Sequence, residues 1–264
     1  MRRIHPYLLG SLGILGLASP AQGAAILMDF GSSPAYAGTD SPGHEDGLAT
    51  GGVWNALATD QSTGFVDENG TAITGFTVDF GTGSVNGVDY AAATRGASYT
   101  NGATYPLWDS ALGDDHVVRD TGGFTGVGIA VSGLAPGEYD FYLTGFRGDN
   151  SINAARDYRV AWDLGTTAIT DFTNATQETL TNDSPTSVND WIAGDNYITG
   201  NFTVSAGDVI SFHVDSPDIP TNLTLTPFIG VVNSLEIVPV PEPATACLAL
   251  AGSALLWRGR QRTA

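Results

Sequence analysis

The densest run of groups able to do chemistry is Asp109-Ser110-Ala111-Leu112-Gly113-Asp114-Asp115-His116-Val117-Val118-Arg119-Asp120. Carboxylates on Asp114, Asp115 and Asp120, with nearby backbone carbonyls, form the kind of oxygen set that calcium takes. The same acids could accept sugar hydroxyls, with Arg119 adding a fork of donors. The plainer reading is a polar loop leading into a strand, with Asp capping turns and Arg119 pairing with Asp120 or another acid. A second stretch, Phe146-Arg147-Gly148-Asp149-Asn150-Ser151-Ile152-Asn153, falls between two strand-like runs. It suits a binding rim, with Arg147, Asn150, Asn153 and Arg156 as hydrogen-bonding groups. Aromatic rings stack on the apolar C–H faces of sugars. Trp108 and Trp191, flanked by Asp109 and Asp190, are the tryptophans expected to be exposed, whereas Trp162 sits inside a strand-like run and belongs in the core. Asp67-Glu68-Asn69-Gly70 has the composition of a calcium loop without the spacing of one, and reads as a turn.

Covalent chemistry has little to work with. The histidines at 44, 116 and 213 form no metal-binding pair, no Gly-x-Ser-x-Gly elbow occurs, and the Gly-rich stretches lack the Lys that a phosphate loop needs. The single Cys247 lies near the C-terminus, so the preceding domain has no thiol nucleophile and no disulfide. A non-enzymatic protein is expected. The alternative is a secreted glycan hydrolase using a carboxylate pair, because two acids meet in space and not in sequence.

The elements that must position these groups read as strands. Apolar runs bounded by Gly, Asp, Asn and Pro recur from residue 25 to 238, nine in all, and Tyr139-Asp140-Phe141-Tyr142-Leu143 and Val209-Ile210-Ser211-Phe212-His213-Val214 place apolar residues two apart. Leu134-Ala135-Pro136-Gly137 and Ser205-Ala206-Gly207-Asp208 are turns. Helix formers are scarce, and only Val53–Ala58 suggests a helical turn. The spacing predicts one all-β domain over residues 24–238, an antiparallel two-sheet β-sandwich of jelly-roll type.

Charge and the two ends narrow the setting. Ten Arg, no Lys and 28 acids give a net charge of −18 and a pI near 4.1, which excludes an electrostatic grip on nucleic acid or anionic lipid. Residues 1–23 join Arg2 and Arg3 to an apolar run and a small-residue stretch at Ala21–Ala24, the three parts of a secretory signal peptide. Without the two ends, residues 24–241 hold five Arg against 27 acids, a balance of −22. Residues 239–264 run from Pro241-Glu242-Pro243 through an apolar helix-length stretch, Ala246–Trp257, to Arg258, Arg260 and Arg262. The two prolines make a linker, and the short apolar run with its basic flank would hold the tail in the membrane transiently. This motif, order and terminal position resemble the PEP-CTERM sorting tail. The resemblance implies a Gram-negative host, recognition of Pro-Glu-Pro by the membrane protease-transpeptidase exosortase, removal of the tail, and delivery to the cell surface or exopolysaccharide matrix.

Several segments between the ends also resemble galactose-binding-like domains. They are Ile26-Leu27-Met28-Asp29-Phe30-Gly31, the pair Trp54-Asn55, the hairpin Val131–Leu143, and the closing strands from Gly200-Asn201-Phe202-Thr203-Val204 to Ile237. That resemblance implies a non-catalytic module that binds glycans through rim loops, with calcium the one cofactor in view. The expected protein is an exported, exosortase-sorted surface or matrix component of a biofilm, carbohydrate-binding or structural.

Overall fold

The computed structural model describes residues 24–31, 41–44, 52–80, 93–95, 116–118, 126–145, 157–181, 191–215 and 230–240. Thirteen strands appear among them: β1 (Ile26–Phe30), β2 (Trp54–Leu57), β3 (Thr77–Asp79), β4 (Ala93–Arg95), β5 (His116–Val118), β6 (Val127–Ser132), β7 (Gly137–Thr144), β8 (Tyr158–Gly165), β9 (Thr176–Leu180), β10 (Tyr197–Val204), β11 (Val209–Asp215), β12 (Val231–Val232) and β13 (Ser234–Pro239). The one helical element among the described residues is a 3-10 turn, Pro42–His44.

Alternation is what makes these segments strands. In β7, Tyr139, Phe141 and Leu143 point one way into the core while Glu138, Asp140 and Tyr142 point the other; in β11, Ile210, Phe212 and Val214 do the same. Two five-stranded sheets result, ordered β10-β7-β13-β1-β2 and β3-β6-β11-β8-β9, beside a three-stranded sheet β12-β5-β4. Every strand pair is antiparallel except β1 with β2, where Leu27 lies opposite Trp54 and Phe30 opposite Leu57. Side chains from both large sheets fill one core. Its centre is Phe141, edge-on to Phe212 at 5.0 Å and to Trp162 at 5.1 Å, and stacked on Phe202 at 5.8 Å. The expected all-β sandwich is the architecture observed.

One expectation is corrected. Val53–Ala58 is not a helical turn; Trp54–Leu57 is strand β2. Its backbone is claimed by the parallel ladder to β1, and a short segment of mixed propensity follows its partner. At the other end, sheet pairing runs two residues past the expected boundary of 238, because β13 continues through Pro239 and Val240 N–H donates to Glu138 O at 2.8 Å. Residues 1–23, expected to be a signal peptide, and residues 241–264, expected to be a sorting tail, lie outside the described residues. Among the described residues no helix is long and apolar enough to cross a membrane.

Candidate functional site

The outward face of the β10-β7-β13-β1-β2 sheet gathers polar and aromatic side chains. Register fixes who stands beside whom. One row across the sheet holds Tyr197, Thr144, Ser234 and Asp29; the next holds Thr199, Tyr142, Glu236, Leu27 and Trp54; a third holds Asn201, Asp140 and Val238.

Half of this face is closed. Glu236 is fully buried, and Ser41 Oγ donates to its Oε2 at 3.0 Å while Gly43 N–H reaches Oε1 at 3.5 Å. The turn can press this close only because residue 43 has no side chain: a Cβ there would sit 2.6 Å from Glu236 Oε2 and 3.1 Å from the Tyr142 ring. Beside it Thr144 Oγ1 and Ser234 Oγ share a hydrogen bond of 2.7 Å, and Ser234 N–H donates to Thr144 Oγ1 at 3.0 Å. Leu27, Ala25 and Trp54 make a small apolar cluster that Trp191 and Val238 partly cover. Asp29 is buried one row from Glu236 on the adjacent strand, so two carboxylates share the closed half.

The other half is open. Thr199, Asn201 and Thr203 of β10 and Glu138 of β7 are exposed, and Asp140 and Tyr142 are half-buried between them. The Tyr142 ring leans on Tyr197 with centroids 6.2 Å apart. The ring also lies beside Gly43 of the closing turn, and its remaining border carries the carboxylate of Asp140, the hydroxyl of Thr199 and the amide of Asn201, an apolar surface edged with acceptors and donors of the kind that can hold a polyhydroxylated ring.

The outward face of the second sheet is closed by the β8–β9 connection. Phe172 stacks on His213 at 5.0 Å, Ile169 N–H donates to Ser211 Oγ at 3.2 Å, and Ala168 packs on Ala130 and Val209. Arg159 makes a two-pronged ion pair with the buried Asp215, its Nε 2.9 Å from Oδ1. Among the described residues two titrating groups stand apart from their ordinary values. The Thr173 hydroxyl and N–H beside Asp171 hold its carboxyl below the usual carboxylate range, and burial pushes the Tyr139 phenol up.

Of the residues singled out in the sequence, Trp191 is described. It is half-buried against Ala25, Leu27 and Trp54, and less exposed than its acidic neighbour suggested. Trp162 is in the core, as expected. Asp67 forms a turn, its Oδ1 accepting from Asn69 N–H and Thr71 N–H at 2.9 Å each. Trp108, Asp114, Asp115, Arg119, Asp120, Arg147, Asn150 and Asn153 lie outside the described residues, as do Pro241, Glu242, Pro243, Arg258, Arg260 and Arg262. Among the described residues no three His, Cys, Asp or Glu converge as a metal site. Sequence reasoning missed Tyr142, Asp140, Thr199 and Asn201 as a group. The available signal was the polar half of the alternation already visible in β7 and β10.

No family model matches the chain, and no curated protein matches it. Among solved structures it is similar to a chain from the plant peptide RALF23 in complex with FER and LLG2, at 11% identity and a TM-score of 0.39. It is also similar to the extracellular domains of ANXUR2 and ANXUR1 from Arabidopsis thaliana, at 15% and 17% identity and TM-scores of 0.40 and 0.38. Each match covers 83% of this chain but only 40%, 49% and 51% of the other, so the chain spans about half the length of those structures or less. No ligand or partner passes from them to this chain.

Proposed function

We propose that this is an exported, non-catalytic surface or matrix protein whose β-sandwich binds carbohydrate. The observation that carries the reading is the open half-sheet, where Tyr142 stands among Asp140, Thr199 and Asn201. Export rests on the signal-like residues 1–23. Sorting by exosortase to the surface or exopolysaccharide of a Gram-negative bacterium rests on the resemblance of residues 240–262 to the PEP-CTERM tail. With a balance of −22 on residues 24–241, an anionic polysaccharide would be repelled unless divalent cations such as calcium bridge the two.

A second reading, glycan hydrolysis by a carboxylate pair, is favoured by Asp29 and Glu236 sharing one face on adjacent strands. The Ser41–His44 turn lies over Glu236 and gives that carboxylate a structural role first.

The test is binding of residues 24–240 to a glycan panel and to the host's own exopolysaccharide, with calcium and with chelator. Saturable binding is expected, weakened about 5- to 30-fold by Tyr142→Ala, the loss of roughly 1–2 kcal/mol of stacking. Trp108→Ala and Asp115→Ala, run in parallel, separate the sheet face from the rim loops. No binding in either condition overturns the reading. New reducing ends released from the glycan and abolished by Glu236→Gln would replace it with the hydrolase.

A further inference from the structure

The first and last strands of the domain lie side by side in the middle of one sheet. β13 is hydrogen-bonded to β7 on one side and to β1 on the other, so it alone joins the β10–β7 half of that sheet to the β1–β2 half. Its inward Leu235 and Ile237 are fully buried in the core, and its outward Glu236 is fully buried under Ser41 and Gly43. A slip of one residue would turn Glu236 into the core and both apolar side chains out, so the slot accepts this segment in a single register. Remove β13 and two strand pairs remain, each marginal alone, with the facing edges of β1 and β7 stripped of their hydrogen-bond partners.

We propose that β13 gates folding: the domain has no stable folded state until residues 234–240 are free to enter between β7 and β1. In a chain exported N-terminus first, everything upstream stays unfolded until the last of the domain has crossed. That consequence rests on the export reading above, whereas the gate itself does not. The gate also limits trimming from the C-terminus. Loss of residues beyond Val240 leaves the sheet whole; a cut before Ser234 removes its central strand.

Native-state hydrogen exchange on the unmodified full chain tests this directly. Amides of residues 235–238 are expected to exchange only through global unfolding, with the same denaturant slope as the slowest amides of β1 and β7. Exchange of β13 through a shallow, sub-global opening, while β10–β7 and β1–β2 stay protected, would overturn the gate. A specific protease site placed after Val240 in the full chain supplies the second readout. Cutting there is expected to leave the melting temperature within about 2 °C, and a larger fall would overturn the stated limit. Neither readout depends on where the chain resides, so a failed gate and a failed export reading are separate results.

Discussion

Asn55 shows how much one buried side chain can hold. Its Nδ2 donates to Leu27 O and to Val66 O, and its Oδ1 accepts from Val66 N–H, all at 2.9 Å. The amide thus ties β2 to its parallel neighbour β1 and to the segment that returns at residue 66. No other side chain of that size carries two donors and an acceptor on one plane. Replacing it by Ala would take their side-chain partner from the buried Leu27 carbonyl and from the half-buried Val66 carbonyl and N–H. Each unsatisfied group costs about 1–3 kcal/mol, and relaxation shares part of the loss, so Asn55→Ala is expected to destabilise by about 3 kcal/mol or more. Asn55→Asp keeps one acceptor but aims a charge at two carbonyl oxygens, and should be no better. The urea midpoint of both variants, at unchanged slope, is the measurement. A loss below about 1 kcal/mol would mean that water takes the place of the amide.

Among the elements, two turn glycines with the same backbone sign separate conformational cost from crowding. Gly207, between β10 and β11, has φ of +88° and nothing within 4 Å of where a Cβ would stand. Gly133, after β6, has φ of +84°, and a Cβ there would lie 1.9 Å from the backbone oxygen of Gly75. Gly207→Ala should therefore cost only the left-handed penalty of about 1–2 kcal/mol. Gly133→Ala must also push the 75–76 backbone away from β6, so its melting temperature should fall by at least twice as much. Equal losses would show that this segment yields freely. The same contrast between local and distant causes explains what the sequence disclosed. β7 and β11 were legible because their apolar residues fall two apart. β9 was not, because four of its five residues are exposed and leave no alternation to read. The residues of β2 suggest a helical turn in the sequence because four residues of mixed propensity take their form from a partner strand. The closed half of the candidate site was equally hidden, since Ser41 and Glu236 meet across 195 residues and no spacing rule reaches that far.

At the scale of the whole molecule, that distance is a kinetic quantity as well as a topological one. Ile26 pairs with Ile237, so the domain's two ends are neighbours, and the chain must close a loop of nearly its whole length before β1 and β13 can meet. Loop closure of that kind slows folding far more than it lowers stability, because its entropy is lost before the contacts form. Joining Val240 to Ala24 through a short Gly-rich linker, and opening the chain at the exposed Ser205-Ala206-Gly207 turn, would make β13–β1 a hairpin without changing a buried contact. The new ends interrupt no ladder, since β10 pairs with β7 and β11 pairs with β6 and β8. The permuted chain is expected to keep its stability within about 2 kcal/mol, the size of a modest surface perturbation. Its refolding rate should rise about tenfold or more, as long-range pairing becomes local. Stopped-flow refolding followed by tryptophan fluorescence decides it, with the core Trp162 as reporter. An unchanged rate would move the slow step away from the first and last strands, to the pairing of β6, β8 and β11 in the second sheet, where no permutation at the ends could reach it.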